Sequence, residues 1–443
     1  MTPSSFLRHY EFDRRTARGG YFPSAPLTVE EGDRVGVVLL NQGGPESLSD
    51  VQPFLYNRLM DPVRYEVPVG GRTRRWGSKA LASLWASSMR EKYELIGGGS
   101  PLTRLSREQA ESLEGHLNDM YGDPTRVDFC TYLAMRYWAP FSEQAAAQMA
   151  EDGIDKVVLL PLYPQYSKTT SGSALAYWHA LDATGEIPSW PTTAVLEYAA
   201  NPRYVRAVSE RIDEGLQRFP RSVRDDVQLL FSAHSTPRRE RTRRADPYCC
   251  LVHTTVDQVM TYRGSDRAAH TAFLNREGPL RWLEPNTRSV LEACAGNGEG
   301  PPVLVVPLPF VTDHLETSYE LDIEMRAEAE RLGIQHYEVT AGLNTHPLFI
   351  EALGEAAVAQ LDLPLDPNQL RYGGDGVSAD YPLRPYHERP RLNSSGHRRR
   401  CPNCECTAEA RRWTVREGGD EEEPTATDPP EIPAPAAPER SSS

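Results

Sequence analysis

The chain has 443 residues, and 48 Lys+Arg against 62 Asp+Glu give it a net charge of −14. That length exceeds what one core usually organises, so two similar halves with additions are expected, and the acidic balance speaks against a nucleic-acid binder. No run nears the roughly 18 apolar residues of a membrane span, and the N-terminus lacks a secretion pattern. A cytoplasmic location is therefore expected, with the seven cysteines as thiols or metal ligands rather than disulfides.

In chain order, residues 1–33 are mixed and polar without periodicity, an N-terminal extension. Val35 to Leu40 is a continuous β-branched run, as a buried parallel strand requires. It enters Asn41-Gln42-Gly43-Gly44-Pro45, a tight loop before a helix that Ser47 or Ser49 can cap. Residues 72–95 set an apolar stripe (Trp76, Leu81, Leu84, Trp85) beside Arg72, Arg74, Arg75 and Lys79. Such a helix either packs on its own domain or forms a lip against a membrane surface or an apolar ligand. The glycines of Ile96-Gly97-Gly98-Gly99-Ser100 let the backbone approach something closely.

Val127 to Met135 predicts a second strand, ending in Arg136-Tyr137-Trp138, and Lys156 to Leu162 a third. The third opens into Tyr163 to Ser173, where massed aromatics and hydroxyls suit a flat conjugated ligand with polar edges. After about residue 200 the pattern restarts: Val227 to Phe231 runs into Ser232-Ala233-His234, and Val303 to Leu308 into a helical segment. Leu343 to Pro347 starts a last helix through Leu361. Strand, loop and helix alternating in both halves predict an α/β fold of two domains, 34–200 and 201–363, with parallel sheets.

The segment after Leu308 concentrates charge. Glu316, Glu320 and Glu324 fall four apart, so a helix stacks them in one acidic ladder headed by Asp313 and His314. Like charges at that spacing repel by a few tenths of a kcal/mol per pair, more if buried. A solvated acidic face is the ordinary explanation of such a run. Its place at the carboxyl end of a buried strand, where open parallel sheets bind ligands, favours a functional one.

Taken together these landmarks resemble the ferrochelatases, which insert Fe(II) into a porphyrin to make haem. The matching stretches are LNQGGPESLSDVQPFL from Leu40, YELIGGGSPLTRL from Tyr93, MRYWAPF from Met135 and LLPLYPQYSKTTSGSAL from Leu159. SAH at Ser232, DPY at Asp246, GPLRWLEP from Gly278, FVTDHLETSYELDIE from Phe310 and LNTHPLFIEAL from Leu343 complete the ordered set. The resemblance implies two Rossmann-like, chelatase-type domains with the porphyrin in the cleft between them. By position it makes His234 and Glu316 the catalytic pair and ligands of the incoming Fe(II), with Asp313, His314, Glu320 and Glu324 as an acidic path. It also makes Tyr93, Ser100, Arg136, Tyr137 and Trp282 porphyrin contacts. Gln42 departs from the family, standing where relatives carry Leu or Met, and Trp85 lies near where some relatives present arginine to a propionate.

The chemistry agrees with that role. Metallation requires two pyrrole protons to leave while hydrated Fe(II) sheds water; a neutral imidazole can accept a proton or bind the cation, and carboxylates can guide a dication or carry protons away. No organic cofactor is needed; porphyrin and ferrous iron are the expected partners, and peripheral membrane contact is a further expectation. Protoporphyrin IX is the expected substrate, because Tyr163 to Ser173 resembles the group that uses it; coproporphyrin III is the alternative. A non-catalytic tetrapyrrole- or metal-binding protein on the same fold is a different class, one with no need of His234 and an acidic ladder in one cleft.

Residues 364–415 form a Pro-, Gly- and Arg-rich linker that includes Cys401-Pro402-Asn403-Cys404-Glu405-Cys406, and 416–443 an acidic Pro/Ala/Ser-rich tail expected to be disordered. Thiolates at that spacing converge on one ion or cluster, iron–sulfur or zinc. In some ferrochelatases a C-terminal cysteine trio joins a distant fourth cysteine to hold a [2Fe–2S] cluster. In one such group the fourth follows YPQYS, where Lys168 stands here, which leaves Cys130, Cys249, Cys250 and Cys294 as candidates.

Overall fold

A computed structural model describes residues 1–363 apart from 18, 24, 68, 245, 275–280 and 297–299. Strands β1 (Leu27–Thr28), β2 (Arg34–Asn41), β3 (Asp128–Met135), β4 (Lys156–Pro161) and β5 (Thr192–Ala194) belong to the first half of the chain. β6 (Gln228–His234), β7 (Ala269–Leu274), β8 (Val303–Pro307), β9 (Tyr337–Val339) and β10 (Leu361–Asp362) follow. They form two four-stranded parallel sheets of the same order, β3-β2-β4-β5 and β7-β6-β8-β9. Each sheet is wound from a strand that ends up second in line, β2 or β6. Strand order therefore reverses beside it, between β2 and β4 and between β6 and β8. Crevices beyond the carboxyl ends of such strand pairs are where this architecture binds ligands.

The central strands are buried on both sides because helices cover both sheet faces. In β2 every residue after Arg34 is buried, and Val38 pairs in register with Tyr132 and Leu159. One continuous core runs through both halves: Val37 and Leu39 of β2, Leu229 and Phe231 of β6, and Phe349 and Leu353 share it. The last two sit on helix Pro347–Val358, which packs on helices Leu102–Leu117 and Pro202–Gln217. That helix ends short of Leu361, which instead pairs as β10 with Leu27 of β1.

Two regions differ from their sequence reading. Residues before Leu27, without period in the sequence, include helix Pro3–His9, whose N-terminus is capped by Thr2 Oγ1 accepting from Ser5 N at 3.1 Å. Phe6 is buried there, its ring edge-on to Tyr177 with centroids 5.1 Å apart. A single anchored ring leaves no periodic trace. In helix Gly71–Leu95 the buried stripe is Arg74, Ser78, Ala82, Ala86 and Tyr93, mostly small residues one turn apart that let the helix lie close. The large apolar residues face out instead, Trp76 at 77% and Leu84 at 72% exposure. Arg74 is turned inward to donate to the carbonyls of Asp61 (2.7 Å) and Tyr65 (2.6 Å), which pins the loop joining this helix to helix Val51–Met60.

Candidate active site

One pocket takes a wall from each strand pair at the two reversals. Asn41 ends β2 and Gln42 follows it, and Tyr163 and Gln165 follow β4. His234 and Thr236 come from the end of β6, and Phe310, His314 and Glu316 follow β8. Residues from both halves of the chain, Asn41 to Glu316, thus meet because two copies of one topology turn their carboxyl ends to the same space.

His234 is the last residue of β6, and the Tyr248 hydroxyl donates to its carbonyl at 2.9 Å, fixing the backbone where the strand stops. Its Nδ1 lies 3.2 Å from Glu316 Oε2, and its Nε2 lies 3.4 Å from Arg64 Nη2. A carboxylate accepts and a guanidinium only donates, so the pair of contacts is satisfied when Nδ1 carries the proton and Nε2 presents its lone pair. Burial works to raise the Glu316 carboxyl, but His234, with His314 and Arg58 beyond it, outweighs burial and holds it well below the ordinary carboxylate range. Glu316 also occupies the first turn of its helix, where the backbone dipole favours an anion. The site therefore keeps an ionised carboxylate against an imidazole.

A second imidazole lies beside them. Burial lowers the His314 ring, which favours its neutral form, and Nδ1 donates to the Thr312 carbonyl at 3.1 Å. Its Nε2 is then the acceptor.

The acidic ladder lies on a helix, as its spacing predicts, and that helix is of the π type, Glu316–Glu324. Its i→i+5 bonding widens the turn while residues four apart stay on one side, and such helices concentrate at functional sites. The three carboxylates grade outward, from Glu316 at 13% side-chain exposure to Glu324 at 41%, where Lys92 Nζ approaches at 3.8 Å. Asp313 is turned elsewhere: Asn344 Nδ2 and Gly342 N donate to its carboxylate at 2.8 and 3.1 Å. A Cβ on Gly342 would meet Asp313 Oδ1 at 2.8 Å, so the cradle needs glycine.

The residues matched to porphyrin contacts sit around the pocket rather than on its wall. Arg136 is drawn to the buried Asp61 at 3.3 Å and lies over the Phe6 and Tyr177 rings, and the Tyr137 hydroxyl donates to Asp61 at 2.6 Å. Tyr93 is buried with Val51, Leu55 and Leu315, and burial, with Glu316 and Glu320 adding to it, raises its phenol. The Ser100 hydroxyl accepts from Leu102 N at 3.3 Å, and its backbone donates to Pro45 at 2.7 Å, tying the triple-glycine loop to the loop after β2. Trp282 is half-buried and bridges Pro237. Lys168 is wholly buried, its ammonium 3.1 Å from Glu240 and 3.5 Å from Glu66. Cys401, Cys404 and Cys406, with the linker and tail, lie outside the described residues.

Sequence reading missed Arg64 and the support that Tyr248 gives His234. Arg64 left no signal, being one of 48 basic residues in a short loop between helices. Tyr248 belongs to the DPY stretch, whose Asp246 accepts from Tyr248 N, Lys168 N and Ser167 Oγ at 2.9 Å each. That carboxylate binds the loop after β4 to the turn behind His234.

The family model described as Ferrochelatase matches residues 34–361. Among curated proteins, a Synechococcus elongatus protein named Ferrochelatase is 40% identical over 336 residues, 75% of this chain and 84% of that protein. One of the same name from a Cyanothece species is 38% identical over 336 residues, covering the same shares. A third, from Gloeobacter violaceus, is 38% identical over 330 residues, 74% of this chain and 98% of that protein.

Proposed function

The chain belongs to the ferrochelatase family, and from that premise we propose that it inserts Fe(II) into protoporphyrin IX with release of two protons, a terminal step of haem biosynthesis. The observation that carries this reading is the contact of His234 Nδ1 with Glu316 at 3.2 Å in a pocket shared by both sheets. His234 Nε2 takes a pyrrole proton or meets the metal. Glu316 holds the imidazole in position and stabilises the charge that forms. His314 supplies a second neutral acceptor for the second proton, and Glu320 and Glu324 lead protons out or iron in. Tyr93, Ser100, Arg136, Tyr137 and Trp282 shape the walls from behind, and Asp313 steadies the loop that closes on residue 344.

Protoporphyrin IX is supported by the Tyr163 to Ser173 stretch. Coproporphyrin III, which carries more carboxylates, is the second reading, and Arg64 on the pocket wall favours it because guanidinium pairs with carboxylate. Purified protein given Fe(II) without oxygen and either porphyrin is expected to shift the Soret and visible bands to those of the metallated ring, faster with protoporphyrin IX. No change with either porphyrin would sink the reading.

Peripheral contact with a membrane is the proposal for the outward face of helix Gly71–Leu95, where exposed Trp76, Leu84 and Trp85 stand with exposed Arg72, Arg75 and Lys79. Apolar side chains flanked by cations suit an anionic lipid surface. No helix among the described residues is long and apolar enough to cross a membrane.

For Cys401, Cys404 and Cys406 the proposal is a [2Fe–2S] cluster. Its donor set fits: three thiolates within six residues, with a fourth required from the folded body. The basic run His397 to Arg400 beside them would offset thiolate charge. Protein purified without oxygen is expected to be reddish, with visible charge-transfer absorption, and Cys404→Ser to bleach it. Colourless protein with one zinc and no sulfide would refute the cluster.

A further inference from the structure

The loop after β4 stands between the pocket and the segment that precedes β1. Tyr163, Gln165 and Ser167 line the pocket. Tyr166 and Lys168, which alternate with them, meet the N-terminal segment instead. The Tyr166 hydroxyl donates to the Thr16 carbonyl, and the Lys168 ammonium lies 5.7 Å from the centre of the Phe12 ring. The Arg244 guanidinium, paired with Glu66 and Glu240, lies 4.8 Å from the same ring. One exposed aromatic side chain thus covers two cations of the buried cluster that ties the loop after β4 to the turn behind His234.

The two surfaces are shaped to each other. A Cβ on Gly172 would meet the Thr16 carbonyl oxygen at 2.8 Å, and one on Gly19 would collide with the Leu196 side chain. Gly19 also has a φ of +66°, which glycine adopts without strain. Further along, the Tyr21 ring stacks on His179 with centroids 4.6 Å apart. Towards the other end, the Phe6 ring centre lies 4.9 Å from the Arg136 guanidinium, so the segment also backs a residue matched to a porphyrin contact. The family model begins at residue 34, and this backing lies outside the region it matches.

We propose that residues 3–22, apart from 18, are a strap that positions the pocket wall of residues 163–173 for the porphyrin. The strap touches no reacting atom. Phe6, Phe12, Thr16 and Gly19 are positioning residues that act through Arg136, Lys168 and Tyr166. Holding that wall fixes where a flat ring lies relative to His234 and Glu316, and a misplacement of about 1 Å can cost about 100-fold in rate. The iron side of the reaction, carried by His234 and Glu316 on the second sheet, does not depend on the strap. This inference rests on the ferrochelatase reading of the pocket.

The test uses the full chain with Phe12→Ala, with Gly19→Val, and with both. Phe12 is 42% exposed, so its loss leaves the fold intact, and it decides the matter alone should Gly19→Val fail to fold. Each variant should be cut faster by trypsin after Arg14 and Arg15, which reports release of the strap. Each should bind protoporphyrin IX roughly fivefold or more weakly by fluorescence quenching, with KM for porphyrin raised and KM for Fe(II) unchanged. The double variant should be little worse than Gly19→Val, because a strap already lifted has no second contact to lose. Unchanged porphyrin affinity in a variant that trypsin cuts faster would overturn the strap's role. So would equal losses toward porphyrin and iron, which mark general destabilisation, or a segment as resistant to trypsin in both variants as in wild type. Wild-type protein that binds neither porphyrin would instead overturn the ferrochelatase reading, so the two failures are distinguishable.

Discussion

His234→Ala is expected to lower the rate of iron insertion by roughly 100- to 10,000-fold, the range a positioned general base contributes, while porphyrin binding stays near that of wild type. The side chain touches Glu316 and Arg64, both of which remain, and the pocket walls come from other residues. Its backbone carbonyl keeps the bond from Tyr248, so the end of β6 is undisturbed. What disappears is the imidazole lone pair that faces the pocket in direct contact with the ionised Glu316. Stopped-flow absorbance of the metallated band gives the rate, and quenching of porphyrin fluorescence gives the binding. Turnover near wild type would remove His234 from the mechanism.

Glu316→Gln should come next in severity, at about 100-fold or more, with loss at Glu320→Gln and Glu324→Gln each under about tenfold. Glutamine keeps the size and can still accept from Nδ1, so the fold and the imidazole orientation survive. The charge does not, and it is the charge that the imidazole Nδ1–H meets in the native site. Position along the π-helix explains the gradient. Glu316 is nearly buried and touches the imidazole, whereas Glu324, at 41% exposure, faces solvent that can replace it as a relay. Equal, complete losses at all three positions together with an unfolded far-UV spectrum would make the carboxylates structural.

Much of this protein was legible because its signals are local. Val35 to Leu40 and Val303 to Leu308 could be assigned to buried parallel strands from their unbroken apolar character, since both faces of such a strand meet helices. The spacing of Glu316, Glu320 and Glu324 gave the ladder for a similar reason, as four residues is close to one turn of either helix type. It did not distinguish α from π, since the spacing of the carboxylates fits either. Helix Gly71–Leu95 shows the limit more sharply: its apolar stripe was plain, but the face it buries is the small one, because close approach to the body mattered more than the size of the side chains.

The sequence by itself determined the fold class and the two-fold repetition of strand, loop and helix, and it set His234 and Glu316 at or beyond the carboxyl ends of buried strands, where the family resemblance implied a pair. Only the tertiary structure decided that Arg136 and Tyr137 serve the buried Asp61, that Asp313 holds Gly342 and Asn344, and that Arg64 reaches His234. The reason is physical. Which strand a residue follows is written in its neighbours along the chain. The direction of a charged side chain is set by whichever opposite charge, donor or acceptor the fold brings within a few ångströms, and those partners here lie tens to hundreds of residues away.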